Sequence, residues 1–146
     1  MSTTVDVNVL VHAINRGAPR HRAALGVIED LAGGMERFTL LWPVVLGFVR
    51  ITTHPSILPS PLAPQDAIMR IDELLALPHV RVVGEGDDPA GFWQCYRATQ
   101  AQVRGGNDVP DAHLAALMLQ HGVRRIYTDD RGFRRFDGID AVPLAG

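Results

Sequence analysis

Three aspartates could do chemistry together, although they lie far apart along the chain. Asp6 lies in or just after the first predicted strand, Asp130 just after the fourth, and Asp111 in the first turn of the helix before that fourth strand. Functional side chains of an open α/β sheet gather at the carboxyl ends of its strands, so we expect these three to meet there. Gathered carboxylates repel one another unless a cation offsets their charge, and Mg²⁺ and Mn²⁺ suit oxygen ligands. The pattern predicts a divalent-metal site in which all three are catalytic and metal-binding residues, able to activate water for in-line attack on a phosphate.

The polar neighbours of these aspartates have more than one interpretation. Asp108 is a candidate ligand, but its position before an apolar helix favours a role as N-cap. The adjacent acids Asp129 and Asp130 could form an ordinary polar turn, and we expect at most one of them to bind a metal. Asn8 could cap the next helix or hydrogen-bond a ligated carboxylate. Thr128 could orient one of the acids through its hydroxyl, as an outer partner of the site.

The basic residues are all arginines. The sequence has 14 Lys+Arg and no lysine, and its net charge of −2 argues against a strongly basic nucleic-acid binder. Their placement is more informative: Arg131, Arg134 and Arg135 closely follow Asp130, and Arg50 lies on the helix after the second strand. A local basic patch beside an acidic site is what a phosphodiesterase needs to hold RNA. These four arginines are therefore candidate RNA contacts, with a solvated loop as the alternative.

Short apolar strands alternate with helical patterns along the whole length. Strands are predicted from residue 3 to about 6 or 7, over 38–41, 80–83 and 125–127, and around 141–142. Helices are predicted over 10–15, 20–32, 44–51, 65–76, 90–103 and 109–121. This alternation is typical of βαβ units and an α/β fold with a largely parallel sheet. The proline loop at 55–64 is too short to divide two domains, so residues 1–146 are expected to form one domain.

Composition excludes several other classes of protein. The single cysteine, Cys95, cannot form an internal disulfide or an all-cysteine metal site, and it suits a reducing compartment. We recognise no signal-peptide pattern and no run near the roughly 20 apolar residues of a membrane span. We therefore expect a soluble, cytoplasmic protein with no membrane partner. The sequence also lacks the HExxH, GxGxxG and GxxxxGK[ST] motifs.

Four segments together resemble the PIN-domain family. They are 5–10 (VDVNVL), 109–116 (VPDAHLAA), 128–136 (TDDRGFRRF) and 45–55 (VLGFVRITTHP), the last of which resembles a VapC-type branch of the family. Each motif alone is loose, but their order and spacing together are fairly specific. The resemblance runs essentially from end to end of the chain.

The resemblance implies a fold, an activity and partners. The fold would be a three-layer α/β/α sandwich around a parallel sheet of four to five strands. The activity would be that of a Mg²⁺- or Mn²⁺-dependent endoribonuclease, with Asp6, Asp111 and Asp130 matching the family's aspartate ligands. The role would be that of a toxin in a type II toxin–antitoxin pair, which inhibits translation by cutting tRNA or rRNA. The partner would be a VapB-type antitoxin whose C-terminal tail covers the site, and a toxin homodimer is expected.

One departure from the family leaves alternatives open. Many PIN domains have a glutamate on the helix after the second strand, where this chain has no acid and Val45 takes its place. The number of metal ions is therefore open, and Asp108 or Asp129 could compensate. A degenerate PIN domain that binds RNA or protein without cutting is the main alternative. A phosphatase of the haloacid-dehalogenase type ranks lower, because its second aspartate would fall on Asn8.

Overall fold

The computed structural model describes residues 2–86 and 88–145, which form one five-stranded parallel sheet flanked by helices. The strand order is β3-β2-β1-β4-β5, so β1 lies in the centre and pairs with β2 and with β4. The strands are β1 Thr3–Val5, β2 Phe38–Leu41, β3 Val80–Val83, β4 Arg125–Tyr127 and β5 Asp140–Val142. The helices are α1 Val7–Ile14, α2 His21–Gly33, α3 Trp42–Thr52, α4 Pro64–Leu75, α5 Pro89–Ala98 and α6 Val109–Gln120.

The direction of the crossovers places helices on both faces of the sheet. From β1 the chain moves outward to β2 and β3 through α1 to α4, then returns across the sheet to β4 through α5 and α6. Right-handed crossovers in opposite directions lie on opposite faces. In agreement, α1 packs on α2 and α3, whereas α5 packs on α6. The α/β fold with a five-stranded parallel sheet is confirmed.

The centre of the sheet is buried because both of its faces are covered. All three residues of β1 are buried, and so are all four of β2. Helix α6 lies close to the sheet because Ala112, Ala115 and Ala116 on it are fully buried and small. Such close packing fixes the first turn of α6, which carries Asp111, relative to the carboxyl ends of the strands.

Two element boundaries differ from the sequence-based prediction. The first strand ends at Val5, and α1 begins at Val7 rather than near residue 10, since Asp6 caps this helix directly. The helix predicted over 90–103 ends at Ala98 and is followed by a 3₁₀ turn over Gln100–Gln102. Within the described residues, no helix combines the length and apolar character that crossing a bilayer would require.

Candidate active site

Asp6 ends the central strand and begins the first helix. Its backbone is extended, with φ −74° and ψ 159°, and its Oδ1 accepts the Val7 N–H at 2.7 Å. The residue is only 8% exposed. Burial raises the pKa of the Asp6 carboxyl, and the charge of Asp130 raises it further, while hydrogen bonds from Thr128 and Val7 oppose this rise.

Thr128 joins two of the predicted acids. Its hydroxyl donates to Asp6 Oδ2 at 3.0 Å and accepts the Asp130 N–H at 2.9 Å. Thr128 follows β4, which pairs in register with β1, so the two strands bring these residues together from positions 122 apart in the chain. The Thr128 hydroxyl thus lies between two of the predicted acids, and its orienting role in a metal site stays a prediction.

Asp111 lies in the first turn of α6 and faces the other two acids. Its pKa is raised to about 6, first by burial, then by the charge of Asp130, a hydrogen bond with the Asp130 carboxyl, and the charge of Asp6. Arg135 opposes this rise. Asp6, Asp111 and Asp130 are therefore near enough to interact electrostatically, as predicted, and we refer to these three as the acid cluster.

Asp130 is held by the turn that follows it. Its Oδ1 accepts the Gly132 N–H at 2.8 Å and so caps the 3₁₀ turn Arg131–Arg135. Any side chain at Gly132 would collide with Arg135 and crowd the Asp130 carboxylate. Gly132 therefore leaves room for the present position of the Arg135 guanidinium, and a larger residue here would require that guanidinium to shift.

Asp129 lies outside the acid cluster. Its Oδ2 accepts a hydrogen bond from Arg20 Nε at 2.8 Å, and its Oδ1 accepts the Leu144 N–H at 3.0 Å. Burial raises the pKa of the Asp129 carboxyl, but the hydrogen bonds from Arg20 and Leu144 and the Arg20 charge together outweigh it and hold that pKa below its ordinary value. Both carboxylate oxygens of this candidate metal ligand thus join the end of β4 to Arg20 and to the C-terminal segment.

Asp108 occupies the N-cap position of α6 but does not cap it through its side chain. A 3₁₀ turn over Gly106–Asp108 leads straight into the helix, and the Asp108 backbone is already helical. Its Oδ2 accepts the Arg104 N–H at 2.8 Å, and its Oδ1 lies 3.3 Å from Arg135 Nη2. The expected capping hydrogen bond is therefore replaced by a link to the preceding loop.

Asn8 makes neither of the contacts suggested for it. It is exposed in the first turn of α1, where Asp6 already provides the cap. The two oxygens of Asp6 are taken by Val7 and Thr128 instead. Asn8 does line a cleft of about 300 Å³ together with Asp6 and Asp130, so it borders the acid cluster.

The four predicted RNA-binding arginines are in different environments. Arg131 and Arg134 are exposed and line a cleft of about 380 Å³ beside Asp130. Arg20 lines the same cleft, and sequence reasoning missed it because nothing in its local pattern indicates a neighbour 109 positions away. Arg135 instead turns towards Asp108 and Asp111, and Arg50 is exposed in the last turn of α3.

The α3 helix carries no acid where a family glutamate would lie. Val45 is 4% exposed and belongs to the hydrophobic core. The α3 residue that approaches the start of α1 is Gly47, at which a Cβ atom would lie 3.1 Å from Val7 Cγ2. Neither Val45 nor Gly47 can supply an oxygen ligand from its side chain.

The acid cluster fits a hard divalent cation in donor type and charge. Its candidate ligand atoms are carboxylate oxygens, and the pKa of Asp111 is raised by burial and then by the negative charges of Asp130 and Asp6, which a cation would offset. Within residues 2–86 and 88–145, however, no three His, Cys, Asp or Glu side chains already converge at ligand spacing. This is compatible with Mg²⁺, which keeps several water ligands and needs only one or two carboxylates.

A wider cleft, of about 1010 Å³, lies at the opposite edge of the sheet. It is lined by residues at the amino ends of the strands, including Arg37, His79 and Arg81, with Glu36 as an acidic member. Size alone does not indicate chemistry. The smaller clefts that contain Asp6 and Asp130 lie at the carboxyl ends, where functional groups of parallel sheets gather.

Comparisons with known proteins find similar sequences over most of the chain. The family model described as "PIN domain" matches residues 3–139. The chain is 49% identical over 140 residues to ribonuclease VapC48 of Mycobacterium tuberculosis, covering 95% of this chain and 94% of that protein. It is 38% identical over 133 residues to a VapC ribonuclease of Mycobacterium bovis, covering 90% and 88% of the two chains.

Solved structures share the fold at low sequence identity. The complex VapBC2 from Rickettsia felis, bound to a DNA fragment from its promoter, matches with a TM-score of 0.66 and 13% identity, over 99% of this chain and 100% of that chain. Mycobacterium tuberculosis VapC20, described as a sarcin-ricin loop cleaving toxin, matches with a TM-score of 0.63 and 17% identity, over 90% and 92% of the chains.

Proposed function

Because this chain belongs to the PIN-domain family and, within it, to the VapC ribonucleases, we propose that it is a Mg²⁺- or Mn²⁺-dependent endoribonuclease. The observation that carries the metal dependence is the acid cluster, where the charges of Asp130 and Asp6 help to raise the pKa of Asp111 to about 6. Such crowding of carboxylates is costly to keep without a cation and is typical of functional sites.

Each residue of the acid cluster has a role in the proposed reaction. Asp6, Asp111 and Asp130 would hold the divalent ion, directly or through water. When bound, such an ion activates water for attack on phosphorus and offsets the charge of the phosphate. Thr128 fixes the Asp6 carboxylate and the Asp130 backbone through its two hydrogen bonds, so two of the ligands keep their relative position.

The decisive experiment is RNA cleavage by purified chain freed of any antitoxin. We expect cleavage of total RNA with Mn²⁺ or Mg²⁺, complete loss with EDTA, and recovery when excess metal is restored. Cleavage that persists in EDTA would contradict the proposed chemistry. Binding of RNA without cleavage under any metal would instead support a degenerate PIN domain, the second candidate, which the missing acid at Val45 and Gly47 favours.

Arg131 and Arg134 are proposed to hold the RNA backbone beside Asp130. Both are exposed and line the cleft next to that acid, where guanidinium groups can bind phosphate oxygens. We propose the same role for Arg50, which is exposed at the end of α3.

Removing the two cleft arginines should weaken RNA binding and its dependence on salt. For Arg131→Gln with Arg134→Gln we expect affinity for single-stranded RNA to fall by about 10-fold, and the log–log salt slope to decrease by about 1.4, or 0.7 per lost phosphate contact. Filter binding with Ca²⁺ in place of Mg²⁺ would measure both. The matched control is Arg22→Gln with Arg97→Gln, two exposed arginines on α2 and α5. An equal loss of RNA affinity in this control would contradict a local RNA site beside Asp130.

The biological role proposed here is that of a toxin that inhibits translation. Its support is the similarity to VapC ribonucleases, and one structural neighbour is described as a sarcin-ricin loop cleaving toxin. We propose tRNA or rRNA as the target, the cytoplasm as the location, and a homodimer as the assembly. A VapB-type antitoxin is the proposed partner, since several structural neighbours are VapBC complexes.

A further inference from the structure

Arg135 is held on several sides by the chain itself. Its Nε donates to the Gln102 carbonyl at 3.1 Å, and its Nη1 donates to the Gly132 carbonyl. The guanidinium carbon lies 4.6 Å from the centre of the buried Phe136 ring. A guanidinium fixed by two carbonyls and an aromatic ring has little freedom to turn outward.

The remaining nitrogen points at two carboxylates. Arg135 Nη2 lies 3.3 Å from Asp108 Oδ1 and 3.6 Å from Asp111 Oδ2. Arg135 Nη2 is buried and makes a hydrogen bond with neither carboxylate. Its interaction with Asp108 and Asp111 is therefore mainly the attraction of opposite charges. Its charge lowers the raised pKa of Asp111, whereas burial, Asp130 and Asp6 all raise it.

From these contacts we propose that Arg135 is a positioning residue, the internal counter-cation that holds Asp111 in place before metal binds, and not an RNA contact. The inference rests on the proposed function, because it takes Asp111 as a metal ligand. Arg135 connects the turn that carries Asp130 to the first turn of α6, and so fixes the distance between two acids of the cluster. A divalent ion must then share Asp111 with this guanidinium, which moderates metal affinity.

A double-mutant cycle without metal tests the charge coupling. In EDTA we expect Arg135→Gln to lower the melting temperature by roughly 5 °C, as expected for loss of partly buried interactions. In the Asp111→Asn background the same change should cost measurably less, because one of the two charges that Arg135 faces is gone while its contacts with Asp108, the two carbonyls and Phe136 are unchanged. Arg124→Gln, an exposed arginine before β4, is the control and should have little effect in either background. Equal effects in both backgrounds would overturn the proposal.

Metal and RNA titrations separate the proposal from an RNA-binding role. We expect calorimetry to show Mn²⁺ binding Arg135→Gln about 3- to 10-fold more tightly than wild type, since a competing charge is removed. Arg135→Lys should bind Mn²⁺ within about threefold of wild type, because it keeps the competing positive charge. It serves as the test variant if Arg135→Gln does not fold. If Arg135→Gln loses RNA affinity but keeps the metal affinity and the melting temperature of wild type, the proposal is overturned in favour of a phosphate contact. If the wild type does not cleave RNA but the double-mutant cycle gives the expected difference between backgrounds, the result counts against the proposed function alone.

Discussion

Replacing Asp6 with asparagine should abolish RNA cleavage while the chain stays folded. We expect kcat/KM to fall at least about 100-fold, the scale of losing a group that stabilises charge in a transition state. Asparagine still offers an oxygen to the Val7 N–H, so the cap of α1 survives. Because burial raises the pKa of the Asp6 carboxyl, a neutral side chain should leave the melting temperature unchanged or higher.

Cleavage of a fluorescent RNA and thermal melting of the same samples would measure both effects. Asp137→Asn is the matched control, since Asp137 is exposed and lies outside the acid cluster. It should keep activity within about threefold, because it removes one negative charge without touching the cluster. Near-normal cleavage by Asp6→Asn, confirmed free of contaminating nuclease, would refute the assignment of this site.

Stability without metal should fall as the pH rises, because of Asp111. Its pKa is about 6 in the folded protein against an ordinary value of 3.8, so the protonated carboxyl favours the folded state. This contribution is fully present below about pH 4 and is lost as the pH rises through about 6. A shift of this size corresponds to about 2 to 3 kcal/mol, or roughly 5 to 10 °C in melting temperature. The charges that face Asp111 are Asp130, Asp6 and Arg135.

Thermal melting in EDTA at pH 5 and pH 7.5 would show this effect. The informative quantity is the difference between wild type and Asp111→Asn, because it removes every contribution that the two proteins share, and the variant should have the flatter profile. Excess Mn²⁺ at pH 7.5 should raise the wild-type melting temperature and restore most of the loss. If melting temperature depends on pH identically in the two proteins, the neighbours of Asp111 do not destabilise its charged form.

Much of the fold follows from local pattern. The runs 38–41, 80–83 and 125–127 were predicted as strands and are strands, since apolar and β-branched residues bounded by turn signals suit a buried parallel sheet. The end of the first strand was predicted to within two residues, but the start of α1 at Val7 was not, because apolar and polar residues alternate over 5–9 as they do in a strand. Only the capping bond to Val7 shows where the strand ends and α1 begins.

The acid cluster was accessible to sequence reasoning because parallel strands place their carboxyl ends at one edge. The contacts of Asp129 and Arg135 were not accessible to sequence reasoning. Asp129 depends on a partner distant in sequence, and Arg135 depends on a turn that reverses the chain. Asp129 pairs with Arg20 across 109 positions. Arg135 follows Asp130 closely, which suggested an RNA contact, but the 3₁₀ turn between them directs its guanidinium back towards α6.

The pairing of the first strand with the fourth has a consequence for synthesis of the chain. Asp6 leaves the ribosome before β4 and Asp130, which complete the acid cluster and come more than a hundred residues later. A nascent chain that stops short of β4 therefore carries isolated carboxylates and no assembled centre. A ribosome that makes this protein is therefore not exposed to an assembled acid cluster until β4 and Asp130 have emerged and paired with β1.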